Sequence, residues 1–104
     1  MTPTPGAVVD DPDNDRFVFE AEGTLAELTY RLNGHRLILV HTQVPESLGS
    51  RGIAGRLVRA AVDRAASEGL TVVSWCPYAR KWLEDHADVA GTVTIDRTPQ
   101  PDAP

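Results

Sequence analysis

The feature that most restricts the fold of this chain is a change in the spacing of its apolar residues at Ile53. Before that point, short alternating segments separated by turn residues predict β-strands, whereas after it apolar residues recur every three or four positions. The second pattern predicts an amphipathic helix that ends at Gly69, followed by a buried strand over residues 70–75. The apolar positions of that helix are Ile53, Ala54, Leu57, Val58, Ala61, Val62 and Ala65. A strand, a helix and another strand in succession form a right-handed crossover between parallel strands, so part of the sheet is predicted to be parallel.

The turn dipeptide Asn33-Gly34 decides the structure of residues 25–32, whose apolar spacing fits both a helix and a strand. It is the preferred filling of a two-residue type I′ turn, because both positions need a positive φ, and it therefore predicts a hairpin. With a strand over residues 16–20, the hairpin forms an antiparallel meander of three strands, and residues 93–95 predict an additional edge strand. The hairpin pairs Tyr30 with Leu37 and Leu28 with Leu39. The predicted fold class is α/β with a mixed sheet, in which the antiparallel three-strand meander is followed by a helix, a parallel strand and a second helix.

Proline and the acidic N-terminus set the predicted boundaries of a single domain. Pro77 suits the first turn of the second helix, which residues 78–86 continue. The acidic head over residues 1–15 and the Pro-ended tail over residues 89–104 carry too little apolar surface to offset chain entropy, so both are predicted to be mobile. The folded domain is thus expected to span residues 16–88.

Composition and charge exclude several classes of function. The chain carries 10 basic and 15 acidic side chains, a net charge of −5, and residues 16–88 carry nine of each, so charge gives no support to nucleic-acid binding. No apolar run approaches the roughly 20 residues that span a bilayer. The first residues lack the pattern of a secretory signal, so a cytoplasmic protein is expected, as a monomer or weak dimer. The single cysteine, Cys76, excludes an internal disulfide and a multi-cysteine metal site, and no metal is expected.

The segment that links the third strand to the first helix is rich in glycine and indicates an anion site. Gly49, Gly52 and Gly55 let the backbone approach a ligand, and the start of the helix offers unpaired N–H groups at the positive end of its dipole. Arg51 and Arg56 add positive charge, so a diphosphate fits this chemistry. The alternative is structural: the first glycine turns the chain, the neighbouring serine caps the helix, and the later glycines allow close packing.

Residues on both sides of that segment carry a family resemblance. The phosphate-loop pattern Arg/Gln-x-x-Gly-x-Gly/Ala falls on residues 49–54, with Gly49 in place of the first Arg or Gln. Further matching stretches are Glu27-Leu28-Thr29-Tyr30-Arg31-Leu32, His41-Thr42-x-Val44-Pro45-Glu46, Gly52-Ile53-Ala54 leading into Leu57-Val58, and Cys76-Pro77-Tyr78 with Trp82-Leu83 and His86. On these residues the chain resembles the small, single-domain members of the GNAT acetyltransferase superfamily over roughly residues 17–88. The resemblance implies an acyl-CoA N-acyltransferase fold that binds acetyl-CoA.

The resemblance also implies how acetyl-CoA is bound. The backbone that is freed where two strands separate would pair with the pantetheine amides, and the glycine loop would hold the diphosphate. The thioester would point toward Cys76. The cofactor-binding residues implied in this way are Thr42, Gln43, Val44, Gly49, Ser50, Arg51, Gly52, Ile53, Ala54 and Gly55.

Three side chains are candidates for the chemistry of acetyl transfer. Cys76 precedes the second helix, whose dipole favours a reactive thiolate, so an acetyl-Cys76 intermediate is one route, and a small buried apolar residue is the alternative. Tyr78 is a candidate to protonate the departing thiolate, or else a packing residue with its hydroxyl at the surface. His41, pointing opposite to Val40 and Thr42, is a candidate base or acceptor-orienting group, or else a packed or surface histidine.

The predicted function is acetyl-CoA-dependent acetylation of an amine, whose identity the sequence leaves open. Glu46 is a further candidate base, whereas Trp75 and Trp82 are interpreted as core residues. The alternative function is a non-catalytic CoA-binding sensor or interaction module, which the departure at Gly49 from the loop pattern favours.

Overall fold

The computed structural model describes residues 7–21, 23–48 and 52–96, which form six strands, three helices and two 3-10 turns. The strands are β1 (Val8–Asp11), β2 (Arg16–Ala21), β3 (Thr24–Asn33), β4 (Arg36–Gln43), β5 (Thr71–Ser74) and β6 (Thr94–Asp96). The helices are α1 (Ile53–Glu68), α2 (Pro77–Asp85) and α3 (Ala87–Ala90), and the 3-10 turns are Pro12–Asn14 and Glu46–Leu48. The change of period at Ile53 therefore marks the start of α1, as predicted.

All six strands belong to one sheet, in the order in which they occur along the chain. Strands β1 to β4 pair antiparallel, whereas β4, β5 and β6 pair parallel. Parallel neighbours need crossovers, which α1 supplies between β4 and β5, and α2 with α3 between β5 and β6. The predicted α/β class with a mixed sheet is confirmed, and the antiparallel part has one strand more than expected.

The three helices pack on one face of the sheet, and the apolar core lies between them and that face. The sheet contributes alternate residues of β2, β3 and β4 to the core, and α1 contributes the residues of its apolar stripe. On the other face, Val18, Ile38 and Val73 are at most 4% exposed but lie outside this core cluster. No helix in the described ranges packs over them, and we call the side of the sheet that they mark the open face.

The turn between β3 and β4 lies one residue later than the dipeptide Asn33-Gly34 predicts. Asn33 pairs with Arg36, so the two-residue loop is Gly34-His35. Gly34 has φ of +62°, whereas His35 does not have a positive φ, so the loop is not a type I′ turn. The dipeptide thus identifies the hairpin correctly, although it does not identify the two loop residues.

This shift changes the partners across the hairpin. Tyr30 lies opposite Leu39 and Leu28 lies opposite Thr42, so the predicted pairing of Tyr30 with Leu37 and of Leu28 with Leu39 is wrong. Moving the turn by one residue moves the partner of Tyr30 by two residues, which is also the period of a strand, and the partner of Leu28 moves by three because a β-bulge in β4 adds one residue. The same side chains therefore still face the core.

A β-bulge in β4 interrupts the pairing near its carboxyl end. Leu39 and His41 pair with consecutive residues of β3, so Val40 between them has no partner there. A bulge puts two residues of one strand opposite one of the other, and it shifts the alternation of every later side chain. Thr42 pairs with the core residue Leu28 and so faces the helices, whereas strict alternation from Leu39 would turn it to the open face.

The N-terminal head, which the sequence predicts to be mobile, contains the edge strand β1. Asp10 Oδ1 accepts a hydrogen bond of 2.7 Å from the Tyr30 hydroxyl, and Asp10 Oδ2 accepts one of 2.9 Å from Arg64 Nη1. These bonds tie β1 to β3 and α1, so polar contacts order a segment whose apolar content is low. Residues 1–6 lie outside the described residues.

The predicted C-terminal boundary also differs from the structure. Strand β6 and the second half of α3 lie in the expected tail, and Arg36 Nη2 donates a hydrogen bond of 2.8 Å to Asp96 Oδ2. Residues 97–104 are outside the described ranges. No helix within those ranges combines the length and apolar character needed to cross a membrane.

Candidate active site

The pairing between β4 and β5 stops before the carboxyl end of β4. Their paired residues end at Leu39 opposite Ser74, although β4 continues to Gln43. The Leu39 carbonyl oxygen accepts hydrogen bonds from Trp75 N and Cys76 N, each of 3.0 Å. Beyond this point the end of β4 has no β5 partner in the described part of the chain. We call the region between the two strand ends, where this pairing has stopped, the gap.

One side-chain contact spans this gap on the side of the helices. Thr42 Oγ1 lies 3.2 Å from Cys76 Sγ, and either the hydroxyl or the thiol is the donor. Cys76 is the N-cap residue of α2, and its carbonyl oxygen accepts a 3.0 Å hydrogen bond from Arg80 N, but its side chain makes no capping bond. The thiol is 3% exposed. Thr42, rather than the helix end, therefore holds the thiol beside the gap.

Helix α1 begins at the same edge of the sheet, because a crossover helix starts where the preceding parallel strand ends. Its N-cap residue is Gly52, with φ of +69° and no side-chain cap, and Arg56 N donates to the Gly52 carbonyl oxygen at 3.2 Å. The N–H groups of Ile53, Ala54 and Gly55 precede that first bond, so they have no partner within the helix. A Cβ at Gly52 would meet no atom of the described residues within 4 Å. Within that part of the chain the helix start is open to an anion, and a positive φ accounts for the glycine.

Gly55 has a packing role as well as its place in the predicted loop. A Cβ at this position would collide with the Trp82 indole nitrogen and would lie 3.1 Å from Trp82 Cδ1.

Arg56, predicted to add charge to the anion site, lies with its guanidinium carbon 4.8 Å from the ring centroid of Phe19. Gly49, Ser50 and Arg51, also predicted to bind the cofactor, lie outside the described residues.

Tyr78 lies in the first turn of α2, two residues after Cys76, and is 43% exposed. Partial burial raises the pKa of the Tyr78 hydroxyl above its ordinary value, and the negative charge of a Cys76 thiolate raises it further. A phenol with a raised pKa stays protonated at neutral pH and can donate its proton to a developing anion. The structure therefore brings Cys76, Tyr78 and the end of β4 together.

His41 is separated from this group. It pairs with Thr29 across the bulged strand and shares the open face with it, whereas Thr42 and Cys76 lie on the helix side. Strict alternation from Leu39 would place His41 on the helix side, so the bulge reverses the direction that the sequence predicts. Glu46, the further candidate base, is exposed in the second 3-10 turn.

Two features of the site escape the sequence analysis. The Thr42 hydroxyl contact with Cys76 depends on the bulge, which leaves no signal in the apolar pattern. Trp75, interpreted as a core residue, is only partly buried and does not pack against the core cluster, whereas Trp82 does. Alternation along β5 could have shown this difference between the two tryptophans. It puts Trp75 on the same face of the sheet as Val73, away from the core.

Comparison with families and curated proteins gives one consistent result. The family model described as GCN5-related N-acetyl-transferase matches residues 16–92. Protein NATD1 of Gallus gallus and of Mus musculus are each 37% identical to the chain over 62 residues, which is 59% of this chain and 56% of each relative. The chain thus spans little more than half the length of the curated relatives it matches.

Comparison with solved structures supports the same fold. The solution structure of a GCN5-like protein from Staphylococcus aureus superposes with a TM-score of 0.69 at 23% sequence identity. The superposition covers 91% of this chain and 94% of that one. At this level of identity the likeness establishes the architecture of the sheet and helices.

Proposed function

This chain belongs to the GCN5-related N-acetyltransferase family, and we propose that it transfers the acetyl group of acetyl-CoA to an amine. The observation that carries the proposal is the gap between β4 and β5, which opens at the edge where α1 begins and has the Cys76 thiol beside it. A long ligand with an anionic end and a reactive thioester end matches this arrangement.

The diphosphate is proposed to bind at the start of α1. Gly52, Ile53, Ala54 and Gly55 supply backbone N–H groups there, and the proposed site also includes Gly49, Ser50 and Arg51, which lie outside the described residues. The helix dipole favours an anion at this end by about 0.3–1 kcal/mol, and each charge-assisted hydrogen bond contributes about 1.5–3 kcal/mol. The open space at Gly52 supports this assignment, because no side chain of the described residues fills it.

The pantetheine arm is proposed to enter the gap itself. Thr42, Gln43 and Val44 follow the last β4–β5 pair, and alternate residues among them direct their backbone N–H and C=O groups away from β3 and toward the amides of the arm. In this position the arm acts as a strand that continues the ladder after Leu39. Its far end then reaches Cys76 and Tyr78.

Acetyl-CoA supplies an acetyl group already activated as a thioester. In direct transfer, the nitrogen of a neutral amine bonds to the acetyl carbon while the carbon–sulfur bond breaks and the electron pair leaves with sulfur. The Tyr78 hydroxyl donates its proton to that sulfur and recovers a proton from solvent, and the amine nitrogen loses its extra proton to His41 or to water. The raised pKa of Tyr78 suits the role of proton donor.

A second route passes through Cys76, because its thiol lies beside the gap and at the start of α2. The Cys76 sulfur would bond to the acetyl carbon as the first carbon–sulfur bond breaks, and the amine would then displace Cys76. Denaturing mass spectrometry after incubation with acetyl-CoA separates the routes. An acetyl adduct that is present in the wild type and absent from Cys76→Ala shows the relay, and full amine acetylation by Cys76→Ala shows direct transfer.

Isothermal titration calorimetry with CoA tests the binding site. Gly52→Asp places a negative side chain where the diphosphate is proposed to bind, so affinity should fall about 10- to 100-fold. Gly69→Asp is the matched control, because Gly69 has φ of +68° at the other end of α1 and also lies in open space. Equal affinity of the two variants would overturn the loop assignment. CoA binding without acetylation across a broad panel of amines would instead identify a non-catalytic CoA-binding module.

A further inference from the structure

The indole ring of Trp82 lies with its nitrogen edge against the first turn of α1. The three atoms nearest to a Cβ built at Gly55 are the indole nitrogen and the two ring carbons bonded to it, Cδ1 at 3.1 Å and Cε2 at 3.4 Å. The glycine therefore leaves a space beside the N–H edge of the indole. Because Gly55 is the third residue of α1, this space adjoins the start of the helix.

The Trp82 N–H is a hydrogen-bond donor without an acceptor in the described part of the chain. Among the described residues that are not exposed, only the Trp75 nitrogen is both buried and without a partner. Trp82 is partly buried, so its N–H is accessible to solvent. An indole nitrogen donates and cannot accept, so a ligand that binds it must supply an acceptor atom.

A stack with His86 fixes the orientation of the Trp82 ring. The two ring centroids are 4.0 Å apart, and the ring planes are inclined by 12°. His86 Nδ1 lies 2.8 Å from the Trp82 carbonyl oxygen, so the imidazole is itself held on the last turn of α2. The indole N–H is thus a positioned donor, and little side-chain entropy is lost when a ligand binds it.

Backbone donors lie at the same place. The N–H groups of Ile53, Ala54 and Gly55 have no partner within α1. The proposed function, on which this inference rests, places the diphosphate of acetyl-CoA at these groups. Gly55 and Trp82 are in direct contact, so a phosphate at the Gly55 N–H lies beside the indole nitrogen as well.

We propose that the Trp82 indole N–H binds acetyl-CoA by donating a hydrogen bond to an oxygen of its diphosphate. A phosphate oxygen is an anionic acceptor, and a hydrogen bond to an ionised group is shorter and stronger than one between neutral groups. The cofactor site then draws on both helices, with backbone donors from α1 and a side-chain donor from α2. Gly55 is the residue that lets the two sets of donors meet.

Isothermal titration calorimetry with CoA and dephospho-CoA tests this assignment. Dephospho-CoA keeps the diphosphate and lacks the 3′-phosphate. Trp82→Phe keeps an aromatic ring and removes the N–H, so its affinity for both ligands should fall about tenfold. Trp75→Phe, the matched control on the open face, should bind both ligands as the wild type does. An unchanged affinity of Trp82→Phe overturns the inference, and so does a loss confined to CoA, because the N–H would then serve the 3′-phosphate.

Nuclear magnetic resonance of the wild type gives a second measurement that does not depend on how Trp82→Phe folds. The chain has two tryptophans, so it has two indole N–H resonances, which Trp75→Phe assigns. CoA and dephospho-CoA should each move the Trp82 indole proton downfield, because the proton gains a hydrogen bond to an anion. Pantetheine, which has the same arm and no phosphate, should leave that resonance in place.

The outcomes distinguish this inference from the proposed function. A Trp82 resonance that CoA leaves unmoved, or that pantetheine moves equally, means that the ring serves packing against Gly55, and it overturns the inference while CoA binding stands. Absence of CoA binding to the wild type by calorimetry overturns the proposed function and the inference together.

Discussion

Gly55 of α1 lies directly against the indole ring of Trp82 on α2, so closely that a Cβ at position 55 has no space. The Trp82 ring in turn stacks on the imidazole of His86, with ring centroids 4.0 Å apart and an angle of 12° between the ring planes. This close approach sets the position of α1 relative to α2, whose N-terminal ends both border the candidate site.

Gly55→Ala should destabilise the protein by about 1 kcal/mol. Alanine is the better helix former by about 0.8–1.0 kcal/mol, but overpacking a core contact costs about 1–3 kcal/mol, and the second effect is the larger. Urea unfolding measures the difference. In a Trp82→Ala background the collision is gone, so the same substitution should become stabilising. A stabilising effect of Gly55→Ala in the wild type would contradict the packing described above.

Thr42→Val should loosen the contact across the gap while keeping the shape of the side chain. The loss of one hydrogen bond to Cys76 costs about 0.5–1.5 kcal/mol, which corresponds to a roughly two- to tenfold faster alkylation of the buried thiol by iodoacetamide. Thr71→Val, on the open face at the start of β5, is the control and should leave the rate unchanged. Equal alkylation of Thr42→Val and the wild type would show that the hydroxyl does not hold the thiol.

Tyr30 should make the stability depend on alkaline pH. Burial, together with the Asp10 carboxylate, raises the pKa of Tyr30 to about 12, although Arg64 opposes the shift. Below the ordinary pKa of about 10, both the folded and the unfolded states hold the proton, and the contribution is complete. Between pH 10 and 12 the unfolded chain ionises first, so stability falls as pH rises. Urea unfolding from pH 9 to 12 measures the fall.

The comparison for Tyr30 uses the second tyrosine as its control. The chain has two tyrosines, and the pKa of Tyr78 is also raised, so both measurements belong in a Tyr78→Phe background. Adding Tyr30→Phe should flatten the pH dependence in that window. An absorbance titration of the folded Tyr78→Phe variant should place ionisation well above pH 10. An ionisation near pH 10 is the result that contradicts the prediction.

Asp10→Ala should destabilise the fold by about 1–2 kcal/mol, because it removes the acceptor of two hydrogen bonds, from Tyr30 and Arg64. For a domain of this size the melting temperature should fall by roughly 5–10 °C in differential scanning calorimetry. Asp13→Ala, an exposed substitution in the neighbouring 3-10 turn, is the control and should change it little. An unchanged melting temperature for Asp10→Ala would mean that β1 contributes little to the fold.

The elements of the fold follow closely from local patterns. Spacing of apolar residues predicts α1 and the strands on either side of it, Gly69 predicts the helix end, and Pro77 predicts the start of α2. Each of these signals depends on residues that are close together in the sequence, so a single sequence is enough to detect it. The edge strand β1 is different, because its order depends on Arg64, which lies 54 positions away from Asp10.

The candidate site is likewise predicted in part by the sequence and in part only visible in the structure. The glycine-rich segment and the Cys76-Pro77-Tyr78 stretch are visible in the sequence, and they identify the ends of β4 and β5 as the region of interest. The partner of the thiol is not visible. Alternation along β4 would turn His41 to the helix side and Thr42 away, and the observed arrangement is the reverse.

The sequence by itself determines most of the strands and helices, that the sheet is mixed, and which family the chain resembles, because each of these depends on residue type and short spacing. Only the tertiary structure decides that Thr42 meets Cys76 and that Trp75 stands on the open face with His41. The physical reason is the unpaired Val40: a bulge is a property of the pairing between β3 and β4, and it reverses every later side chain without changing the order of residues.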